Sequence, residues 1–500
     1  MLGLRYFTNL IKTSFNRSFN GARTDGYNSD WIVSPIRDNE QLKKDLKMLI
    51  VRSRDLSKNN SDYIKYLLMR EVNIIGATGI KLRMNVTKNN GNSDYKKSEL
   101  IELHWIKWGK KRNKYCSHDG LLSWLELQVL ADRTLAVDGD SFFLIHEGAN
   151  NPYLFKLQPI DSLDVDIELN VSANYNQNQI IMGIEFDSND KVVAYHLKKN
   201  NENNRLGDYN FVTTHNRIPA ERMIHIYQKR FAGQVRGFPL ASGAILDINM
   251  ADGYKKVALV GARAAACQLG VWEDSGSGAS SSKLGNLKNN KNFSQPTVRE
   301  MVPGQIIDAP AGKTFKAHNP TQPVANFPHF MKAIQRSIAN GVGMLYNALF
   351  NDYEGVNFSS LRAGAISERD NWMMCQQFLI ENFHEIVFAK WLKYFLLSGQ
   401  TNLQLRNYER LLADNWQPRR WVWVDPVKDA NANRLKLEMN LTSRQRLCSE
   451  LGVDFFEVAD ELARENLYLQ NKGLTPDAID EKTVSIIEEL IKDEQKEEEK

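Results

Sequence analysis

Cysteine is scarce in this chain: four residues among 500, at positions 116, 267, 375 and 448, with no Cys-x-x-Cys pair. That spacing offers neither a zinc knuckle nor a disulfide framework, so Cys116, Cys267, Cys375 and Cys448 read as reduced, intracellular thiols. Long apolar runs are missing too. The best, Val257 to Trp272, is interrupted by Arg263 and falls short of the roughly twenty residues a spanning helix needs, so no membrane segment is expected. The first residues, Met1 to Phe19, mix Leu4, Phe7 and Leu10 with Arg5, Lys12 and Arg17. They lack the continuous apolar centre and small-residue cleavage site of a secretory signal.

Catalytic signatures are equally thin. No Gly-x-Ser-x-Gly or His-Glu-x-x-His occurs, and His215 and His225 lack ligand spacing. Gly312-Lys313-Thr314 resembles the end of a phosphate-binding loop, but Ile307 stands where that motif requires glycine. The run that follows is strand-like and ends at Pro320, whereas a phosphate loop passes into a helix. Asp164, Asp166 and Glu168 alternate along an expected strand and would share one face, as Mg²⁺-binding carboxylates do. Solvent-facing strand positions give the same pattern, and no His or Lys is placed to complete a phosphodiester mechanism. No catalytic, cofactor-binding or metal-ligating residue is assigned.

What is present is ordinary for a folded chain: 42% apolar and 25% charged residues. Five hundred residues exceed what one core usually holds, so more than one packed unit is expected. The net charge is +4, but residues 1–120 carry 23 Lys/Arg against 12 Asp/Glu, leaving −7 for the rest. Such polarity suits an acidic or nucleic-acid partner, but a solvated mixed surface is its commoner explanation.

Helical spacing runs from 40 to 83 and stops at Gly76-Ala77-Thr78-Gly79, turning into a strand. A helix over 119–137 is followed by a turn at Val137 to Asp140 and a strand over Ser141–Ile145. Ile180, Met182, Ile184 and Phe186 alternate as one strand, turning through Asp187 to Asp190 into a second strand over Val192–Leu197. Pro239 to Gly270 reads as one helix of about thirty residues, roughly 45 Å long, weakened by Gly243, Gly253 and Gly261. Residues 275–296 have almost no apolar content and read as a mobile loop, with short strands at 301–307 and 313–318. Helices are expected over Asn326–Leu349 and Ser359–Leu397. The latter has Leu361, Ile366, Trp372, Met373, Leu379, Phe383, Val387 and Phe395 as core candidates. From Asp425 the chain holds 19 acidic and 11 basic residues, with helices at 443–450, 454–470 and 476–492 and a charged, frayed tail.

A set of motifs in fixed order is similar to the lambda-type family of phage portal proteins, or head-tail connectors. Arg52-Ser53-Arg54-Asp55-Leu56 with Asn59-Asn60, and Gly76 to Ile80, resemble the family's opening; Asp138-Gly139-Asp140-Ser141-Phe142 resembles its next turn. Then come Gly183 to Asp187, Ala194-Tyr195-His196, Ile218-Pro219-Ala220, Ile224-His225 and Gly233-Gln234-Val235-Arg236-Gly237. Val302-Pro303-Gly304, Gly341-Val342-Gly343, Asp352-Tyr353, Asn357 to Gly364 (with Ser359, Ser360 and Arg362) and Trp421 to Pro426 complete the series. It is the ordered set that is specific. Two features depart: Gly343 to Tyr346 lacks the proline many relatives carry before the tyrosine, and residues 275–296 have the character of an insertion.

The resemblance implies an α+β portal fold with wing, helical stem, β-containing clip and helical crown, assembled as a twelve-subunit ring. It would place an N-terminal arm at 1–36, the wing at 37–239, stem helices at 240–272 and 327–349, and the clip at 273–326. A tunnel loop would occupy 350–358, a long wing helix and following segment 359–424, and the crown 425–500. It also implies a sequence-independent passage for double-stranded DNA at a capsid vertex of the virion, with subunits present in the host cytoplasm during assembly. The implied partners are the terminase large subunit, the major capsid or scaffolding protein, and head-completion adaptors, with no membrane and no enzymatic step. DNA-facing candidates are Asn351, Asp352, Tyr353, Glu354 and Asn357 in the loop, and Lys255, Lys256, Arg263, Lys332 and Arg336 on the stem helices. The rival readings are a metal-dependent nuclease or packaging enzyme built on Asp164, Asp166 and Glu168, and a capsid component without a channel.

Overall fold

The computed structural model describes residues 37–88, 93–174, 178–198, 214–266, 270–274, 313–317, 327–421, 426–453 and 455–472. The arm at 1–36, the loop at 275–296, the strand at 301–307 and the helix at 476–492 lie outside the described residues. The fold is α+β.

Helices α1 (Asp38–Asn59) and α2 (Ser61–Arg70) open the described chain. Helical spacing predicts no break before Gly76, yet Asn60 turns out of the helix at φ −112° and its side chain accepts from Tyr63 N at 2.9 Å, starting α2 afresh. The stop is where the sequence puts it: a π turn, Glu71–Ile75, ends at Gly76 with φ 73°, and strand β1 (Lys81–Met84) follows. After α3 (Tyr95–Gly109) comes α4 (Trp124–Asp138). It begins at Trp124 instead of 119 because Ser123 and Glu126 form a reciprocal cap, Glu126 N donating to Ser123 Oγ at 3.2 Å and Ser123 N to Glu126 Oε2 at 2.7 Å.

Strands β2 (Asp140–Glu147), β3 (Phe155–Ile160), β4 (Gln179–Ile181), β5 (Ile184–Phe186), β6 (Val192–Lys198), β7 (His215–Pro219) and β8 (Met223–Tyr227) form two antiparallel sheets, ordered β3-β2-β8 and β4-β5-β6-β7. The expected turn between β5 and β6 is observed, but 180–186 is not one strand. Met182 and Gly183, at φ 48° and 80°, reverse the chain and make a hairpin of it. Asp164 to Glu168 are not a strand either; this stretch is a run of turns with an isolated bridge from Val165 to Leu197.

Helix α5 (Ile245–Ala266) is shorter than predicted, since residues 240–244 form turns bonded back to Pro239 and Ala241, and by Gly270 the chain is already strand β9 (Gly270–Asp274). β9 pairs with β10 (Lys313–Ala317), the strand expected at that point. The helix expected over 326–349 is broken into α6 (Phe327–Val342) and α7 (Tyr346–Phe350) by Gly343, φ 69°. The long helix is present. α8 (Phe358–Leu379), a π turn (Ile380–His384) and α9 (Glu385–Leu397) follow one another without a gap. Of its core candidates, Trp372, Leu379, Phe383, Val387 and Phe395 are buried, but Ile366 and Met373 are exposed. Strand β11 (Asp414–Gln417) returns to pair with β1, and α10 (Pro426–Glu438), α11 (Arg444–Leu451) and α12 (Phe455–Asn471) close the described chain.

The main core joins α3, α4 and α9 through indole rings. The Trp105 ring meets those of Trp124, Trp391 and Trp416 edge-on at centroid distances of 5.2, 5.0 and 5.9 Å. His384 of the π turn is buried beside Trp124 and Trp416. Burial drives its imidazole from 6.5 down to about 4, against the opposing bond to the Leu379 carbonyl.

A group depressed on folding stabilises above its unfolded value and loses that contribution as pH falls through its folded value. The interval from 6.5 to about 4 corresponds to at most about 3 kcal/mol. His384→Phe is therefore expected to flatten the fall in stability between those pH values, measured as urea midpoints at pH 7 and pH 4.5. An unchanged pH profile would contradict this.

Candidate functional site

Asp138-Gly139-Asp140 sits where α4 ends and β2 begins, and its two carboxylates each engage an arginine from another motif. Arg54 Nε and Nη2 donate to Asp138 at 2.8 and 2.7 Å, and Nη2 also reaches Asp161 at 2.6 Å. Arg236, wholly buried, donates from Nε to Asp140 Oδ2 at 2.6 Å. Its Nη1 donates to the carbonyls of Met182 and Val165 at 3.0 and 3.3 Å, and its Nη2 to that of Ser162 at 3.0 Å. Asp140 further accepts from Gly237 N at 2.6 Å and His225 Nε2 at 2.9 Å. Burial alone would push the Asp140 carboxyl up, but the Arg236 charge and the His225 bond outweigh it and hold it below its usual range.

Glycine is required on both sides of this junction. A Cβ on Gly139 would lie 2.1 Å from the Phe238 carbonyl carbon, and one on Gly237 would lie 2.0 Å from the Gly139 oxygen. Gln234 completes the turn: its Oε1 accepts from Arg230 N at 2.8 Å and its Nε2 donates to the Arg236 carbonyl at 2.8 Å. Gly233, φ 79°, offers its carbonyl to Asn39 at 2.8 Å. These family-motif residues thus converge on one structural hub.

The loop at 350–358 joins α7 to α8. Asn351 adopts φ 53°, and Asn357 caps α8 by accepting from Ser360 N at 2.8 Å and Ser359 Oγ at 3.0 Å. Arg362 reaches Asp429 at 3.4 Å. Asn351, Tyr353, Glu354 and Asn357 are exposed, whereas Asp352 is pinned. Lys332 donates to its Oδ2 at 2.8 Å, Tyr346 OH to the same oxygen at 2.5 Å, and Glu354 N to Oδ1 at 3.2 Å. The bond from Lys332, then that from Tyr346, lower the Asp352 carboxyl to about 2. Arg336, one turn from Lys332, lies 5.5 Å over the Tyr346 ring. A cleft of about 560 Å³ opens here, with Lys332, Arg336, Asn340, Asn347, Asn357 and Ser360 in its wall.

The other basic candidates are elsewhere. Lys255 pairs with Asp62 of α2 at 2.6 Å, Lys256 with Asp252 of its own helix at 2.7 Å, and Arg263 is exposed near the end of α5. Tyr346 and Asn347, which donates to the Asp352 carbonyl at 2.5 Å, were not among the sequence candidates. The missing signal was the break at Gly343, which turns α7 back toward the loop.

Asp166 and Glu168 are already partnered: Asp166 accepts from His215 at 2.9 Å and pairs with Lys198 at 3.4 Å, so a His and a Lys do stand beside it although the sequence shows none there, and Glu168 pairs with Lys47. Among the described residues no group of three or more His, Cys, Asp or Glu could hold a metal ion, and no helix is long and apolar enough to cross a membrane.

The family model for lambda-family phage portal proteins matches residues 24–376. A protein of Halomonas phage phiHAP-1 named as a probable portal protein is 31% identical over 472 residues, covering 94% of this chain and 88% of its own. Portal protein B of Escherichia phage lambda is 23% identical over 156 residues, 30% of this chain and 29% of its own. Among solved structures, a chain from the neck of an empty gene transfer agent particle is 11% identical, covers 82% of this chain and 94% of its own, and has a TM-score of 0.41.

Removing the buried cation leaves Asp140 charged and unpaired, so Arg236→Met is expected to cost about 3–5 kcal/mol. Arg54→Ala, where the side chain is 27% exposed, is expected to cost less. Urea unfolding of the two variants beside the parent measures both; equal losses would deny Arg236 its special place.

Proposed function

Because this chain belongs to the lambda family of phage portal proteins, we propose that copies of it close into a ring at one capsid vertex of the virion and form the passage through which DNA is packaged and ejected. The observation that carries the ring is on α5. Leu246, Met250, Val257 and Val260 stand 63–69% exposed along a single face, since positions 246, 250, 257 and 260 repeat at helical spacing. On the opposite face Ile248 and Ala251 are buried. Such a stripe on an isolated subunit calls for cover, and a second copy of the chain supplies it.

In this reading α5 and α6 are the stem. They run antiparallel, with Tyr254 stacked on Phe327 at 5.5 Å and Ser337 Oγ donating to Asp247 at 2.8 Å. The body built on the Asp138–Asp140 hub is the wing, β9 and β10 belong to the clip, the loop at 350–358 lines the tunnel, α8 and α9 return through the wing, and α10 to α12 belong to the crown. The clip would dock the terminase large subunit and later the head-completion adaptors, with capsid or scaffolding protein around the wing. The motor supplies the energy, and this chain conducts without hydrolysing nucleotide or cutting DNA.

A passage for a whole genome needs many weak phosphate contacts, because each neutralised phosphate adds salt-dependent affinity. The pairing of Lys255, Lys256 and Lys332 with Asp62, Asp252 and Asp352 favours such a passage by leaving few bare cations on the stem helices.

Electron micrographs of the purified chain should show rings with a central hole. Leu246→Glu with Val257→Glu should abolish them while circular dichroism stays that of the parent; rings that persist would move the subunit contact off α5. Mg²⁺-dependent cleavage of DNA, lost in Asp164→Ala, would overturn the non-enzymatic reading.

A further inference from the structure

Lys332 and Arg336 share one face of α6 and one cleft, but their charges are in different states. Arg336 has no carboxylate partner among the described residues and rests against the Tyr346 ring. Lys332 is neutralised by Asp352, a residue of the following loop. The donors around Asp352 come mainly from outside the loop: the Lys332 ammonium from α6 and the Tyr346 hydroxyl from α7, with Glu354 N–H as the loop's own contribution. They form an anion site already filled by a carboxylate, beside the cleft and not wholly shielded from solvent, the Asp352 side chain being 23% exposed.

A phosphodiester oxygen carries the same charge as that carboxylate oxygen and accepts the same hydrogen bonds. We propose that Lys332 and Tyr346 form a phosphate-binding site of the passage, held by Asp352 when no DNA is present and exchanged for a backbone phosphate as DNA advances. The proposal rests on reading residues 350–358 as the lining of that passage. Exchange replaces one ion pair by another, so each contact is made and released with little net change, and the loop is freed at the moment a phosphate takes its place. A bare lysine at this position would instead bind phosphate at full strength.

The test titrates assembled rings of the full chain with a short double-stranded DNA over a range of salt concentrations. Asp352→Asn should bind more tightly than the parent, and its plot of log K against log salt should steepen by about 0.9 for each Lys332 that engages a phosphate. Asp352→Asn combined with Lys332→Gln should return to the parent slope. Glu354→Gln removes an equal charge from the same loop but leaves the site filled, so it should change the slope little. Asp352→Ser likewise removes the carboxylate from Lys332, so it should steepen the slope as Asp352→Asn does, and it decides the matter if Asp352→Asn does not assemble. Equal slopes in the parent and in whichever of these two variants assembles, or equal steepening by Glu354→Gln, would overturn the exchange while leaving the portal reading intact. A parent chain that forms no ring, or rings that bind no DNA at any salt concentration, would remove both.

Discussion

The buried ion pair between Arg236 and Asp140 sets the terms for the body of the molecule. An arginine with no access to water needs partners for its donors, and here four hydrogen bonds serve the five N–H groups, one to a carboxylate at the start of β2 and three to the carbonyls of Ser162, Val165 and Met182. Residues 161–169 have little regular structure of their own, and the bonds to Ser162 and Val165 fix them, while the bond to Met182 ties down the turn between β4 and β5. The planar guanidinium imposes directions as well as distances, which a lysine would not. Arg54 does the same work from α1 through Asp138. Two arginines from distant parts of the sequence therefore bracket one turn, and the glycines at 139 and 237 let the two backbones close on each other.

Local signals in the sequence were reliable where their physics is local. Gly76 stops the first helical region, Gly139 ends α4, and the turn at Asp187 to Asp190 joins β5 to β6, because left-handed positions and turn-forming side chains act within a few residues. Errors arose where a competing local device was overlooked: the cap at Asn60, the reciprocal cap at Ser123 and Glu126, the Met182-Gly183 reversal, and Gly343. Ile366 and Met373 illustrate another limit. Periodicity shows that a helix has an apolar face, but not whether this chain or a neighbouring one covers it.

The candidate loop was legible as a position and not as a site. Its place between helices follows from composition, whereas the grip of Lys332 and Tyr346 on Asp352 depends on how α6, α7 and the loop fold back on one another. Charge shows the same divide. The sequence lists lysines as candidates for a nucleic-acid surface; only the fold reveals that Lys255 is turned toward Asp62 and Lys256 toward Asp252. The carboxylates at 166 and 168, in turn, are ion-pair partners joining segments of the body.

The uninterrupted run from α8 through the π turn to α9 has a mechanical meaning. An α-helix is stiff along its axis, so Asn357 at one end and the indole of Trp391 within the core behave as points on a single rod. The most compliant place along it is the wider turn at Ile380–His384, where the regular hydrogen-bond ladder is interrupted. A push on the loop end would therefore travel along α8 to that joint, where the buried imidazole of His384 packs against Trp124 and Trp416.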